Sequence, residues 1–397
     1  MNLRKHFAGL FCAGVFLLGC HANRSGQIPV YNLSTITEET ELKLTDLVKN
    51  IRIVPLETSA DIMLQERMNG GYRMVVTSEY IMMLCVDAIY QFDAFTGKYI
   101  RCLASFGRGP QEYGNILAAT IDYKNEILYL AHNGSTNKLA INYKTGAFLP
   151  VVPVSDGTLC DLECVLPDGR ICLPDDTLMF CGLHPVSGKV TSLLSATNRQ
   201  RVKESSRTDF IKYFGKYSVS LNQDEIYLFH QKYSDTLYQY KAPDDCKKIL
   251  AVCSDNIQKE REGSAIRFNY IDDEAAICLT YAVKLIETNG NYALLNSAEK
   301  AYKINRKNQQ IQHITKFIFN PLFIIEAEGD SAIAKAIIHY NNHKYYAKAL
   351  NSYLVKEAIE MTLKDPTLAK DKIIALKELN SQLTEPSNPV VIIGEKR

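Results

Sequence analysis

Strand-length apolar runs alternate along this chain with turns rich in Gly, Asn and Asp, and one arrangement of them recurs. Its clearest copy is Tyr80–Asp87, Ala88–Asp93, the turn Ala94-Phe95-Thr96-Gly97, then Lys98–Leu103. A second runs Glu126–Ala131, Lys138–Asn142, Tyr143-Lys144-Thr145-Gly146 and Ala147–Leu149; a third runs Gly169–Leu173, Leu178–Cys181, Pro185-Val186-Ser187-Gly188 and Lys189–Leu193. Weaker copies follow at Glu225–Leu250 and Asn291–Ile314. The turn residues Gly97, Gly146, Gly188, Asp245 and Gln310 are spaced 49, 42, 57 and 65 apart, so insertions accumulate toward the C-terminus.

Each copy predicts a small antiparallel sheet closed by a tight turn, where Gly supplies the positive φ without steric cost. Such a sheet is marginal alone in water, and stacking it radially on its neighbours is the propeller solution. A β-sandwich would also hold many short strands, but it would not generate one repeated strand, strand, turn, strand unit. The predicted fold is therefore all-β, a six-bladed β-propeller. Five copies are visible, and Phe323–Ala327, Ala332–Ile338 and Tyr345–Ala347 are expected to supply a sixth. The strand-like segments Ile51–Leu56 and Val390–Ile393 are expected to pair and close the ring. Between them, Ser352 to Leu379 carries apolar residues at helical intervals, which predicts a short C-terminal helical insertion, broken at Asp365-Pro366, before the closing strand.

The N-terminus adds a second layer of information. Met1 to His6 is short and basic, Phe7 to Leu18 is apolar, and Leu17-Leu18-Gly19-Cys20 follows. This is the layout of an export signal, too short to serve as a membrane span. Leu17 to Cys20 is similar to the lipobox of bacterial lipoproteins, which implies acylation of the Cys20 thiol. Two or three acyl chains, at about 0.8 kcal/mol per buried methylene, would hold the chain at a membrane. The expected organisation is a signal peptide at 1–19, a lipidated Cys20 with a tether over 20–49, and the propeller over 50–397. No acidic cluster follows Cys20, which points to an outer-membrane, periplasm-facing placement in the cell envelope.

Composition narrows the partners. With 45 basic and 44 acidic residues the formal charge is +1, too little to gather nucleic acid. Trp is absent, so a glycan would have to stack on the 23 Tyr or 15 Phe. Of 11 Cys, Cys12 leaves with the signal and Cys20 is taken by lipid; the rest form no regular disulfide framework. Cys160 and Cys164 have a C-x3-C spacing without a second pair or a nearby His, which leaves at most one structural disulfide and no zinc site.

Three stretches carry a resemblance. Ile53-Val54-Pro55-Leu56-Glu57-Thr58 looks like an opening strand; Ile89 to Ile100, running into Ser105 to Tyr113, is similar to an "FD..GK" strand pair with a "G.GPGEY" loop; Asn388 to Ile393 is like a closing strand. In these the chain resembles the six-bladed β-propeller lipoproteins abundant in bacteroidete-type bacteria, related in architecture to NHL-repeat propellers. Gln111 stands where that family has Gly. The resemblance implies a place and a shape, not a reaction.

Chemistry is sparse in the sequence. In the Gly107–Tyr113 loop, Arg108, Glu112 and Tyr113 are the candidate ligand-binding residues: Arg108 would grip a carboxylate or sulfate, or else Arg108 and Glu112 tie one blade to the next. No G-x-S-x-G elbow, H-E-x-x-H or phosphate-binding loop occurs. His339 and His343 lie four apart in a strand-turn-strand context that does not suit a metal, and no metal or cofactor is expected. The expected function is an envelope-anchored binding or scaffold module for a protein, peptide or glycan. The alternative is a glycan hydrolase or lyase using a carboxylate pair from among Asp161, Glu163, Asp175 and Asp176 in the propeller channel.

Overall fold

The computed structural model describes residues 28–397 apart from 60, 65–71, 108, 110–111, 133–134, 155–161, 163, 176–178, 205–216, 223–224, 231–235, 254–261, 272–273, 289–290, 320–321, 338–343 and 384–386. Six sheets form the ring of a six-bladed β-propeller. Blade one is Met74–Val76, Tyr80–Leu84, Ala88–Asp93 and Tyr99–Phe106. Blade two is Ile116–Asp122, Ile127–His132 and Leu139–Asn142; blade three is Cys164–Val165, Ile171–Asp175, Met179–Leu183 and Val190–Ser192. Blade four is Tyr217–Asn222, Glu225–His230, Thr236–Ala242 and Asp245–Cys253, and blade five is Glu262–Ile271, Ala275–Thr288, Asn291–Asn305 and Ile311–Phe319. Blade six is Tyr345–Leu350, Val390–Lys396 and Val48–Pro55, so both ends of the domain share one sheet, as expected for ring closure.

The strands read as continuous apolar runs because both faces of each blade are covered. Side chains alternate along a strand, and here the alternation assigns neighbours to opposite interfaces. Val391 and Ile393 pack with Met74, Ile81 and Met83 of blade one, whereas Val390 and Ile392 pack with Ile277 and Leu279 of blade five. Likewise Ile226 and Leu228 face blade three, and Tyr227 and Phe229 face blade five. Among the described residues six hydrophobic clusters result, one for each junction around the ring.

The repeated turn has a common chemistry. Asp93 Oδ1 accepts from the backbone N–H groups of Phe95 and Thr96, Asn142 Oδ1 from Lys144 and Thr145, and Asn305 Oδ1 from Lys307 and Asn308. Four residues after each of these side chains the backbone turns left-handed, at Gly97 (φ 69°), Gly146 (79°) and Gln309 (61°). The equivalent turn position in blade five is therefore Gln309 rather than Gln310.

The structure corrects the sequence reading at the edges. From residue 28 the segment expected as tether is part of the ring: Val30–Asn32 pairs in parallel with Ala251–Cys253 outside blade four, and Glu39–Lys43 pairs in parallel with blade five's outer strand. Of Ala332–Ile338, expected as a strand, Ala332–Ile337 falls in a helix, Asp330–Ile337, whose Ile333, Ala334 and Ile337 are buried, and Ile338 lies outside the described residues. Ile325–Glu328 is a strand, but it pairs with Lys316–Phe319 of blade five, not with blade six. It occupies the edge that Asn291–Asn305 leaves, since that strand meets Ile311–His313 only through Tyr302–Ile304. Asn291–Leu295 and Ala301–Ile304, read as two strands, are one continuous strand. The helical insertion is present as Ser352–Thr362 and Lys370–Ser381, packed on blades five and six through Val355, Ile359, Leu376 and Leu379. Asp365 accepts from Thr367 N and Oγ1 at the expected break.

Candidate functional site

A cleft of about 420 Å³ opens where blades three and four meet, lined by Leu166, Asp168, Arg170, Glu225, Gln239, Tyr240 and Lys241, among others. Its first wall is the turn between the two inner strands of blade three, Leu166-Pro167-Asp168-Gly169-Arg170. Gly169 sits at φ 84° and its N–H donates to Leu166 O at 2.8 Å, which folds the turn back on itself. Arg170 is then fixed on several sides. Asp168 Oδ1 accepts from Arg170 N at 3.0 Å, Asp168 Oδ2 accepts from Nε at 2.9 Å and pairs with Nη2 at 2.7 Å, and Nη1 donates to Thr191 Oγ1 at 3.1 Å. The Arg170 stem lies across Gly182, where a Cβ would come within 3.1 Å of Arg170 Cδ.

The second wall comes from blade four. Glu225, which opens the second strand, accepts hydrogen bonds from the Tyr227 hydroxyl and from Gln239 Nε2. The turn that includes Ala242 and Pro243 is held from outside, since Pro243 O accepts from Asn198 Nδ2 at 2.8 Å and Ser195 N at 3.1 Å. Tyr240 is buried, and its hydroxyl lies beside the Arg170 guanidinium without a well-aligned hydrogen bond. Asp168, Arg170, Glu225 and Lys241 contribute two negative and two positive charges, which cancel.

Electrostatics follow from these contacts. Burial alone would push the Asp168 carboxyl up, but hydrogen bonds from Arg170 and its charge bring it below the usual carboxylate range. Burial raises the Tyr240 hydroxyl against the opposing pull of Arg170, and burial together with the bond to Glu225 pushes Tyr227 up to about 12. The cleft thus offers one buried phenol, Tyr240, a fixed guanidinium already matched by a carboxylate, an amide, and an apolar floor of Leu166 and Ile226.

The residues singled out from the sequence lie elsewhere. Glu112 Oε2 accepts from Gly109 N at 2.7 Å, Gly107 N donates to Tyr113 O at 3.0 Å, and a Cβ on Gly107 would sit 1.9 Å from Glu112 Oε2. Tyr113 is buried in the junction of blades one and two and its hydroxyl donates to Cys85 O at 3.4 Å. Arg108 lies outside the described residues, as do Cys20, Cys160, Asp161, Glu163, Asp176, His339 and His343. Asp175 ends a strand of blade three. The loop joins the outer strand of blade one to the inner strand of blade two. It therefore lies on the opposite face of the ring from the cleft, which is built from turns at the other ends of the strands.

His132 Nδ1, at the end of a blade two strand, accepts from Gly114 N, and His184 Nδ1 accepts from Ser187 N in a turn. Among the described residues no group of His, Cys, Asp or Glu is arranged to hold a metal ion. Asp168, Arg170, Glu225 and Tyr240 were not anticipated. The Pro-Asp-Gly turn followed by Arg170 is their one local signal, and nothing in the sequence ties it to a strand 70 residues on.

No helix among the described residues is long and apolar enough to cross a membrane. A comparison with curated proteins finds no match. Among solved structures the fold is similar to that of a Bacteroides fragilis protein described as exported, at 11% identity and TM-score 0.52, covering 94% of this chain and 100% of that one. A member of the DUF4221 family from Bacteroides vulgatus aligns at 11% identity and TM-score 0.48, over 88% of this chain and 97% of that one. The model of DUF4934, a domain of unknown function, matches residues 27–395, and the chain belongs to that family.

Proposed function

We propose that this protein is an exported binding module, lipid-anchored at Cys20 in the outer membrane and facing the periplasm, whose cleft between blades three and four takes a neutral, hydroxyl-rich ligand: a segment of glycan. The observation that carries this reading is the cancellation of charge in the cleft. Arg170 is paired with Asp168, Glu225 shares the lining with Lys241 and accepts hydrogen bonds from Tyr227 and Gln239, and a buried Tyr240 hydroxyl lies beside the guanidinium. A sugar answers that pattern, since each hydroxyl both donates and accepts and the ring's apolar face covers Leu166 and Ile226. The export signal, and the exported description of the Bacteroides fragilis neighbour, support placement in the envelope.

The competing reading is a glycan hydrolase or lyase, and a hydrolase calls for a carboxyl held protonated near neutral pH. In the cleft, hydrogen bonds from Arg170 and its charge hold Asp168 below the usual carboxylate range, the opposite of what a general acid there needs.

The test is calorimetry against a panel of neutral, sulfated and carboxylated oligosaccharides and short peptides. Neutral oligosaccharides are expected to bind, with about a tenfold loss in Tyr240→Phe and a larger one in Arg170→Gln, a factor of ten corresponding to ~1.4 kcal/mol. Binding confined to anionic probes or to peptides, or turnover of a bound oligosaccharide, would sink this reading. Anchoring is tested separately: Cys20→Ala should abolish incorporation of labelled fatty acid and move the protein to the soluble fraction.

A further inference from the structure

Behind the Asp168–Arg170 turn, Cys164 and Cys172 are directly opposite each other in the antiparallel pairing of Cys164–Val165 with Ile171–Asp175. Both are 0% exposed, and both belong to the cluster that packs blade three against Tyr238 and Tyr240 of blade four. Directly opposed residues in an antiparallel pair have Cα atoms about 4.5–5.5 Å apart with side chains on one face, inside the roughly 4.4–6.8 Å that a disulfide requires. The neighbouring Cys181 is turned to the other side of the blade, in the cluster with Tyr129 and Ala140 of blade two, and its Sγ donates to Leu173 O. One pair of thiols is thus set face to face at the foot of the turn that forms the cleft wall.

We propose that Cys164 and Cys172 form a cross-strand disulfide that clamps the Leu166–Arg170 turn and holds Arg170 in the cleft. The bond rests on the export reading, because an oxidising compartment is needed to make it persist. The oxidant is an oxidised two-cysteine thiol oxidoreductase of that compartment. One of the two thiolates attacks the carrier's disulfide sulfur, forming a mixed disulfide and releasing one carrier thiolate. The second thiolate then attacks its partner's sulfur, forming the Cys164–Cys172 bond and releasing the other carrier thiolate. Two electrons pass to the carrier, and the two protons lost by Cys164 and Cys172 end on its thiols. Burial orders the events. Blade three precedes blade four along the chain, so the bond forms before Tyr238 and Tyr240 cover the pair.

The experiment alkylates the full-length protein in denaturant, digests it without reduction and maps the linked peptides by mass spectrometry. Two preparations are compared: protein from cell envelopes, and protein refolded in a mixture of oxidised and reduced glutathione. The expected result is a peptide containing Cys164 linked to one containing Cys172, retained in Cys160→Ala and Cys181→Ala and lost in Cys172→Ala. Complete alkylation of Cys164 and Cys172 in both preparations, or a Cys160–Cys164 link in their place, overturns the proposal. Formation in the glutathione buffer but not in protein from envelopes upholds the geometry and overturns the export premise instead.

Discussion

Ile53 is paired directly with Ile392, so the sheet that begins the domain also contains the strand that ends it. No turn fixes this pairing. It is held by the packing of Ile392, with 2% of its surface exposed, against blade five, and of Val391 against blade one.

Ile392→Ala should therefore destabilise the whole ring and not merely fray its end. A buried Ile→Ala costs about 2–5 kcal/mol, whereas Ile374→Ala, on a helix position 66% exposed, should fall within about 0.5 kcal/mol of wild type. Urea unfolding followed by far-UV circular dichroism checks both. A separate early transition in Ile392→Ala, with the main one unmoved, would show that closure is not cooperative.

The repeated turns make opposite predictions for equivalent positions. Gly97 is left-handed and a Cβ there would meet Pro55 O at 1.9 Å, so Gly97→Ala combines backbone strain of about 1–2 kcal/mol with a clash against blade six. Gln309 already bears left-handed strain without Gly, so Gln309→Gly should leave stability unchanged or raise it by up to about 1 kcal/mol. The thermal unfolding midpoint should fall in Gly97→Ala and hold or rise in Gln309→Gly.

Much of this architecture is legible in the sequence, because the repeated turn is a local signal: an Asp or Asn, then Gly four residues later, between apolar runs. The closing strands and the broken helical pair are legible for the same reason. The outer strands Val30–Asn32 and Glu39–Lys43 are not. They expose Val30, Glu39, Glu41 and Lys43 and bury few side chains, and their parallel pairing is with residues more than 200 positions away. The helix at Asp330–Ile337 reads as a strand in the sequence because its apolar residues run nearly unbroken, which either structure can bury. The cleft is unreadable on similar grounds, since Asp168 and Arg170 pair locally while Glu225 and Tyr240 reach them only through blade packing.

Arg52 ties blade six to blade one: Nη1 donates to Ala94 O at 3.1 Å and Ser78 O at 3.3 Å, and the guanidinium lies 4.4 Å from the centre of the Phe95 ring. Arg52→Ala should cost about 1–3 kcal/mol by leaving two carbonyls unmet. Lys cannot reproduce the planar fork, so Arg52→Lys should recover only part. A double-mutant cycle with Phe95→Ala should show a coupling of about 0.5–1 kcal/mol; a coupling of zero would mean the ring contact is incidental.

Lys348 gives stability a pH dependence of definite sign. Burial, with the charge of Lys335 adding, pushes its ammonium down to about 8, below the ordinary value of about 10.4 of the unfolded chain. Between these values the unfolded state binds more protons, so stability rises with pH across that window and the destabilisation is fully present below pH 8. Unfolded tyrosines ionise near pH 10 while buried ones such as Tyr129 are held up to about 12, which reverses the trend above pH 10. The urea midpoint of wild type relative to Lys348→Met should therefore climb from pH 8 to pH 10, since Lys396, which burial pushes down to about 7, and Cys278, which burial pushes up to about 12, contribute equally to both proteins.

The outer strands decide whether residues 28–43 are tether or structure. Leu42 and Leu44 are fully buried with Phe317 and Ile314, Leu33 O accepts from the buried Tyr302 hydroxyl at 3.0 Å, and Glu39–Lys43 covers the outer edge of His313–Ile318. Removing them bares two strand edges together with apolar surface, the condition under which sheets pair between molecules. A chain beginning at residue 44 should elute as aggregates on size exclusion, and Leu42→Ala in the full chain should cost about 2–5 kcal/mol. A chain beginning at residue 28 should elute at the position of the full-length protein. If the chain beginning at residue 44 instead unfolds with an unchanged urea midpoint and elutes as a single small species, the parallel strands contribute nothing and residues 28–43 are a tether after all.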